Sequence, residues 1–490
     1  MKCGQFVATF FHIVDYSLRY AVYHGLVYGR KVNEKERKKY IHIMNNLIMD
    51  MFNISMDDTD KFETVNKDDG SVEVIIRLKR KMLYCPHCGT KMVSNGTSTK
   101  KINHKVLNDR NTTLLYEANR YRCRECNHSE YEKNPFCLKG FSQSILMMNQ
   151  LMIDLHDPRF NYTMLSEKYN MSVNEVILYL DSFVTIPHIP LPVNLGIDEI
   201  HSNMAKRKNA SYLGILTDND TFSLVEILPS RNKADLNNYL SFVPKKEREA
   251  VKYVTIDMWL PYKEMALKWF PNCIIAVDPF HVIEHLTYDF DKIRIRIMNR
   301  CLYGSNAYYL LKTWHKLLYS DRYRLDGQGK YNHVFKCKLN YGDIKKMLLE
   351  ISDELRIAYD LKESYRDFNS RCNYETAEKE LNDLIYAFAK ANIKEYEEFL
   401  QIMVNWKKEI INSFIRSQAT GNRLSNAKSE AMNNDIGSNI RISRGLSNFT
   451  RFRKRMLYCH NDRLFYSLTG KLTSLKRNLK KKDEDKEKKH

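Results

Sequence analysis

Two sets of residues in this sequence have the type and spacing to do chemistry. Three short aliphatic or β-branched runs each stop at an acid: LGID at Asp198, VTID at Asp257 and IIAVD at Asp278. Hard divalent cations such as Mg²⁺ or Mn²⁺ take oxygen ligands from acids on rigid neighbouring elements, and open α/β sheets form their sites at strand ends. Two such cations about 4 Å apart can activate the attacking oxygen and steady the leaving oxygen of a phosphodiester. One acid at a strand end is more often a turn former or helix cap. Three in consecutive strand-like segments favour a cation site, and the residues alone leave open whether Asp257 or Asp278 is the ligand.

The second set is thiolate. CPHC places Cys85 and Cys88 two residues apart, and CREC repeats the spacing with Cys123 and Cys126. Each knuckle grips one face of a tetrahedral ion at about 2.3 Å, and four cysteines fill the shell, so the expected ion is structural Zn²⁺. A redox pair is the alternative. VLNDRNTTLLYEANRYR, between the knuckles, reads as a strand hairpin, which fits a ribbon better than a finger with a recognition helix. With the shell full, the nearby His87, His104 and His128 are expected at the surface.

These residues need elements to position them. Residues 1–61 read as a helical extension, with apolar residues at helical spacing in FVATFFHIVDYSLRYAVYH, closing on an acidic polar patch. A zinc ribbon is expected over 62–135. Over 140–186, QSILMMNQLMIDLHD, YTMLSEKY, a short turn and VNEVILYLDSF give a helix-turn-helix pattern with Ser172 as N-cap of the last helix. A plain helical hairpin is the competing reading, and the last helix carries no Lys or Arg. After the proline-punctuated IPHIPLP, residues 193–288 read β-β-β-α-β-α-β, a mixed sheet covered by helices. Residues 289–416 read as a helical insertion, 417–465 as the return to the α/β domain, and 466–490 as a charged, disordered tail. The whole is a multidomain α/β protein.

Composition narrows the partners. The 490 residues carry 78 Lys and Arg against 59 Asp and Glu, a net charge of +19, which favours a polyanion such as DNA. No uncharged apolar run approaches the ~20 residues of a membrane span, and the N-terminus lacks the pattern of a signal peptide. The expected setting is the cytoplasm, where the 11 cysteines stay reduced. No Gly-rich phosphate loop and no internal repeat occurs.

The order CPHC, CREC, the helix-turn-helix pattern, GIDE, VTIDMWLPY, FPN, VDPFHV and SNAKSEAMNNDIGSNIRISRG resembles bacterial insertion-sequence transposases of the ISL-three type. The likeness runs from about Phe62 to Asp462. It implies an RNase H-like catalytic domain of the DDE kind, in which Asp198 and Asp257 are the first two acids and Glu430 the third. Asp278 and His281 match an accessory D-x-x-H pattern. It also implies cutting at terminal inverted repeats with Mg²⁺ or Mn²⁺, joining of the freed 3′-hydroxyl to target DNA, and at least a homodimer on DNA at the bacterial nucleoid. Helical spacing puts Asn426, Glu430 and Asn433 or Asn434 on one polar face; Glu199 and Glu284 are weaker rivals for the third acid. Arg441, Arg444, Arg451, Arg453 and Lys454 follow as candidate phosphate contacts. A catalytically silent DNA-binding regulator and an RNase H-like nuclease without strand transfer are the other function classes considered.

Overall fold

The computed structural model describes residues 52, 54–105, 111–203, 211–319, 324–442, 448–461 and 466–468. Nearly all of the predicted helical extension and most of the predicted charged tail lie outside the described residues. The chain divides into two compact units, the second comprising Leu155–Tyr162 and Ile177–Ser467.

The first unit is built on a sheet of β1 (Thr59–Asn66), β2 (Val72–Leu78), β3 (Val93–His104), β4 (Thr112–Arg122) and β5 (Ser129–Tyr131). The order is β1-β2-β4-β3, with β5 beside β4. Part of the acidic patch is itself a strand: β1 pairs antiparallel with β2 through a turn in which Gly70 takes a φ of 78°. The hairpin between the knuckles is also wider than predicted. Its second arm is β4, but its first arm is β3, whose SNGTSTKK run reads as loop by composition. The reason is position: β3 is a sheet edge and its burial is confined to Ile102 and His104 near its end. An edge strand with one wet face needs few apolar residues.

That alternation corrects the expectation for His104, which is buried, 3 % exposed. Its ring stacks on Phe52 at 5.0 Å and Nδ1 lies 2.7 Å from Ser144 Oγ. His87 is exposed and His128 half-buried, their rings 4.4 Å apart.

Three helices follow: α1 (Ile145–His156), α2 (Tyr162–Tyr169) and α3 (Val173–Phe183). The turn before α3 passes through Asn170 in the left-handed region, φ 47°. Ser172 closes it as predicted. Its hydroxyl accepts from Glu175 N at 3.2 Å while the Glu175 carboxylate accepts from Ser172 N at 2.8 Å, a reciprocal capping box.

The second unit carries a mixed sheet of β6 (Asn194–His201), β7 (Tyr212–Asp218), β8 (Ser223–Leu228), β9 (Tyr253–Ile256) and β10 (Ile274–Val277), in the order β10-β9-β6-β7-β8. The first three strands form an antiparallel meander, and β9 and β10 run parallel to β6. Their runs are continuously apolar because helices cover them. The segments between β8 and β10 hold α4 (Lys233–Phe242), α5 (Lys245–Ala250) and α6 (Leu260–Trp269). Leu236, Leu240, Tyr262, Met265 and Phe270 pack there against Leu195, Ile197, Val225 and Val254.

From the end of β10, α7 (Pro279–Arg300) runs into a helical body of α8 (Asn306–Thr313), α9 (Tyr341–Leu349), α10 (Asp353–Arg371), α11 (Tyr374–Ala391), α12 (Glu397–Asn405) and α13 (Lys407–Asn412). A two-stranded hairpin, β11 (Lys330–Asn332) and β12 (Cys337–Leu339), interrupts it. Phe290, Tyr365, Phe368, Phe388 and Phe399 lie in its core. The chain returns to the sheet at α13, where Asn412 Nδ2 donates to Ile275 O at 2.8 Å. It closes with α14 (Ala427–Ile442) against β6 and β7 and α15 (Phe449–Cys459) against β8. No helix among the described residues is long and apolar enough to cross a membrane.

Burial pushes the His104 imidazole down to about 4. Its folded value lies below its unfolded one, so the stability it contributes is complete above about pH 6.5 and drains away as the pH falls towards 4, by up to about 3 kcal/mol. Amide protection factors in β3 and β4, measured from pH 7 to 4, should fall more in the parent than in His104→Leu. An equal fall in both would remove His104 as the cause.

Candidate metal centre

Strand register brings together an acid inside β6 and the acids that follow β9 and β10. Parallel β6 and β9 pair Leu195 with Val254 and Gly196 with Thr255, and β10 pairs Val277 with Ile256. Two steps beyond the first ladder and one beyond the second, Asp198, Asp257 and Asp278 stand at the same level of three neighbouring strands.

They do not share one environment. Asp198, 6 % exposed, accepts from Glu199 N at 2.7 Å and from Asn433 Nδ2 at 2.7 Å. Burial first, then the charge of Asp257, pushes its carboxyl up to about 7. Asp257 Oδ1 lies 3.0 Å from His281 Nε2. Asp278 turns inward as the N-cap of α7, accepting from Phe280 N at 3.4 Å; burial is the main cause of its raised pKa. His281, in the first turn of α7, feels burial pulling it down, but Asp257 chiefly, with Asp278 and Asp198, holds it at about 9.

Ligand atoms of Asp198, Asp257 and His281 all lie within 4.8 Å of one another. Two carboxylates and an imidazole are a donor set for a small divalent cation, with nitrogen suiting Mn²⁺ better than Mg²⁺. Without a cation, the imidazolium is the group that offsets the two acids.

Glu430 is not in that group. It is exposed on α14, between Asn426, whose Nδ2 donates to Ile197 O at 3.2 Å, and Asn433, which holds Asp198. The predicted polar face is therefore real and faces β6. The rivals are placed elsewhere: Glu199 is paired with Arg231 and accepts from Tyr262 OH at 3.0 Å, and Glu284 is a largely exposed neighbour of His281 Nδ1 at 3.4 Å.

A buried polar seam docks α14. Ser429 Oγ bonds Thr217 Oγ1 and donates to Asn219 Oδ1 at 3.1 Å, and Asn219 Nδ2 donates to Asn426 Oδ1 at 3.2 Å. The glycine of GIDE makes room for it: a Cβ on Gly196 would lie 2.5–2.6 Å from Thr217 Oγ1, Asn219 Oδ1 and Ser429 Oγ. Sequence reading did not single out Gly196 or assign Asn433 a bond to Asp198. A glycine two residues before a strand acid was the available signal for the first.

The basic candidates divide. Arg441 is exposed. Arg451 pairs with Asp181 at 2.9 Å, Arg453 with buried Glu226, and Lys454 Nζ donates to Asp181 O at 2.9 Å, so these three fasten α15 within its own unit. Arg444 lies outside the described residues.

In the first unit, the Sγ atoms of Cys85 and Cys126, and of Cys88 and Cys123, are 3.4 Å apart, and those of Cys88 and Cys126 are 3.7 Å apart. A tetrahedral Zn–S shell has edges of about 3.8 Å. Each knuckle turns through a left-handed residue just after its second cysteine, Gly89 at φ 72° and Asn127 at φ 60°. The four thiols fit a closed structural Zn²⁺ site.

Residues 195–456 match a family described as transposase, the ISL-three DDE type, and residues 84–126 match the zinc-finger of transposase IS204/IS1001/IS1096/IS1165. The first match spans more than half of the chain. The chain belongs to the ISL-three transposase family and carries its zinc ribbon, both of which imply DNA as a partner. No curated protein matches it.

Two outcomes are expected. Gly196→Ala should destabilise the second unit by about 1–3 kcal/mol, as overpacking does, lowering its melting temperature; an unchanged melt would mean the seam yields freely. Chelation of Zn²⁺ should accelerate amide exchange around both knuckles while leaving β6 to β10 protected. Protection unchanged at the knuckles would show that the four thiols hold no structural ion.

Proposed function

We infer that the chain cuts the ends of an insertion sequence by divalent-cation-dependent hydrolysis and joins the freed 3′-hydroxyls to target DNA. The observation that carries this reading is the convergence of Asp198 inside β6, Asp257 just past β9 and His281 in the first turn of α7 within 4.8 Å of one another. The strand order β10-β9-β6-β7-β8, an antiparallel meander followed by two parallel strands, supports an RNase H-like domain. Bound Mg²⁺ or Mn²⁺ would supply the Lewis acid that activates water or the 3′-hydroxyl and neutralises the leaving oxygen.

Each residue then has a task. Asp198 and Asp257 hold the cations. His281 balances their charge, and Asp278 fixes the start of the helix that carries it. Glu430 is the third acid: one helical turn separates it from Asn433, whose amide is already on Asp198. Exposed Arg441, at the end of the same helix, is placed for phosphate contact. The ribbon and the helix-turn-helix candidate α1–α3 recognise the terminal repeats. Because two ends must be held together, the active form is a dimer or larger on DNA, at the bacterial nucleoid.

The test is cleavage of a terminal-repeat duplex by the full chain with Mn²⁺. Asp198→Ala, Asp257→Ala and Glu430→Ala should each lower the rate roughly a thousandfold, corresponding to the several kcal/mol a cation-held charge contributes. Wild-type cleavage by Asp257→Ala would overturn the reading. Wild-type cleavage by Glu430→Ala alone would remove only the third acid.

A further inference from the structure

The amide of Asn433 is only half satisfied. Its Nδ2 donates to Asp198 Oδ2 at 2.7 Å and makes a longer contact of 3.4 Å with Glu199 O. Its Oδ1 is buried and has no hydrogen-bond partner. An ionised Asp198, as a cation ligand must be, accepts only, and so does Glu199 O, so the amide nitrogen faces them both, which fixes the orientation of the amide. The planar amide therefore keeps its unused oxygen beside the same carboxylate. A buried acceptor without a donor costs about 1–3 kcal/mol, and such groups are rare unless a ligand completes them. Asp257 Oδ1, of the same carboxylate pair, is also buried, with His281 Nε2 at 3.0 Å as its partner. The orphaned Asn433 Oδ1 is an oxygen acceptor, so its missing partner is one that donates.

We propose that Asn433 is a positioning residue of the cation site: Nδ2 orients Asp198, and Oδ1 receives a hydrogen bond from a water carried by the bound divalent cation. This rests on the reading of Asp198 and Asp257 as cation ligands. Mg²⁺ and Mn²⁺ keep several of their waters when only a few protein groups bind them, and those waters supply the donor that Oδ1 lacks. Partners of this kind set ligand orientation and typically govern 10–100-fold in metal affinity.

A purely structural role is separable, because α14 is already docked by Asn426 and Ser429. Alanine is also a better helix former than asparagine, so Asn433→Ala should melt, without added cation, no lower than the parent. Asn433→Leu keeps the forked side-chain shape without its polar atoms and serves as the second variant, and Asn434→Ala, at the exposed neighbouring position, is the control.

The experiment is Mn²⁺ binding to the full, zinc-loaded chain without DNA, read by calorimetry and by the EPR signal of free Mn²⁺. Asp257→Ala should abolish the site, Asn433→Ala and Asn433→Leu should weaken it 10–100-fold, and Asn434→Ala should match the parent. If Asp257→Ala abolishes binding but both Asn433 variants stay within twofold of the parent, the role of Asn433 is overturned while the cation site stands. If Asp257→Ala binds Mn²⁺ as the parent does, the cation site itself is refuted and Asn433 falls with it.

Discussion

The structure of the second unit turns on repulsion between two carboxylates. Parallel pairing of β6 with β9 is in a register that brings Asp198 beside Asp257, and burial removes the water that would otherwise screen them. The cost is visible in Asp198, whose carboxyl is held up at about 7 by burial and then by Asp257. Nothing in the packing of the strands requires acids here. A neutral side chain at either position would relieve the repulsion, so the arrangement makes sense only if positive charge is supplied. His281 supplies some of it, and a divalent cation would supply more while accepting the same oxygens.

That constraint explains the polar seam under α14. An apolar interface could dock a helix on β6 and β7 equally well, but it would not fix the helix azimuth to the strand that carries Asp198. Asn219, Asn426 and Ser429 do, through directional bonds between specific atoms. The absence of a side chain at Gly196 lets the helix approach close enough for Asn433 to reach Asp198. The same directional logic governs α15: Arg453 on Glu226 and Arg451 on Asp181 locate that helix rather than leaving its cations free. Basic residues in a chain of net charge +19 are thus not interchangeable as DNA contacts.

Much of this was legible in the sequence because it is local. Acids closing aliphatic runs, the C-x-x-C pairs, the Ser172 cap and the shared face of Asn426, Glu430 and Asn433 all depend on spacing within a few residues. The SNGTSTKK run escaped notice as part of β3 because an edge strand with one wet face has almost no apolar pattern, and β1 was hidden in an acidic patch for the same reason. The burial of His104 was missed because it depends on a partner, Phe52, far off in sequence. Register between β6, β9 and β10 is a long-range property too. The residues alone left Asp257 and Asp278 open, and only the family resemblance preferred Asp257; the structure sets them at one level and uses Asp278 as the cap of α7.

This cap has a mechanical consequence. α7 begins at the sheet edge with Asp278, presents His281 to Asp257 in its first turn, and continues unbroken to Arg300. Further along, Phe290 and Ile293 are fully buried in the helical body with Tyr365 and Phe399. One rigid element therefore joins the Asp198–Asp257 pair to the core of the helical body, with no loop between them to absorb displacement. A rotation of that body about the sheet edge would have to move the imidazole relative to Asp257, or else break the cap at Asp278. The charge balance at Asp198 and Asp257 and the placement of the helical body are, through α7, a single mechanical variable.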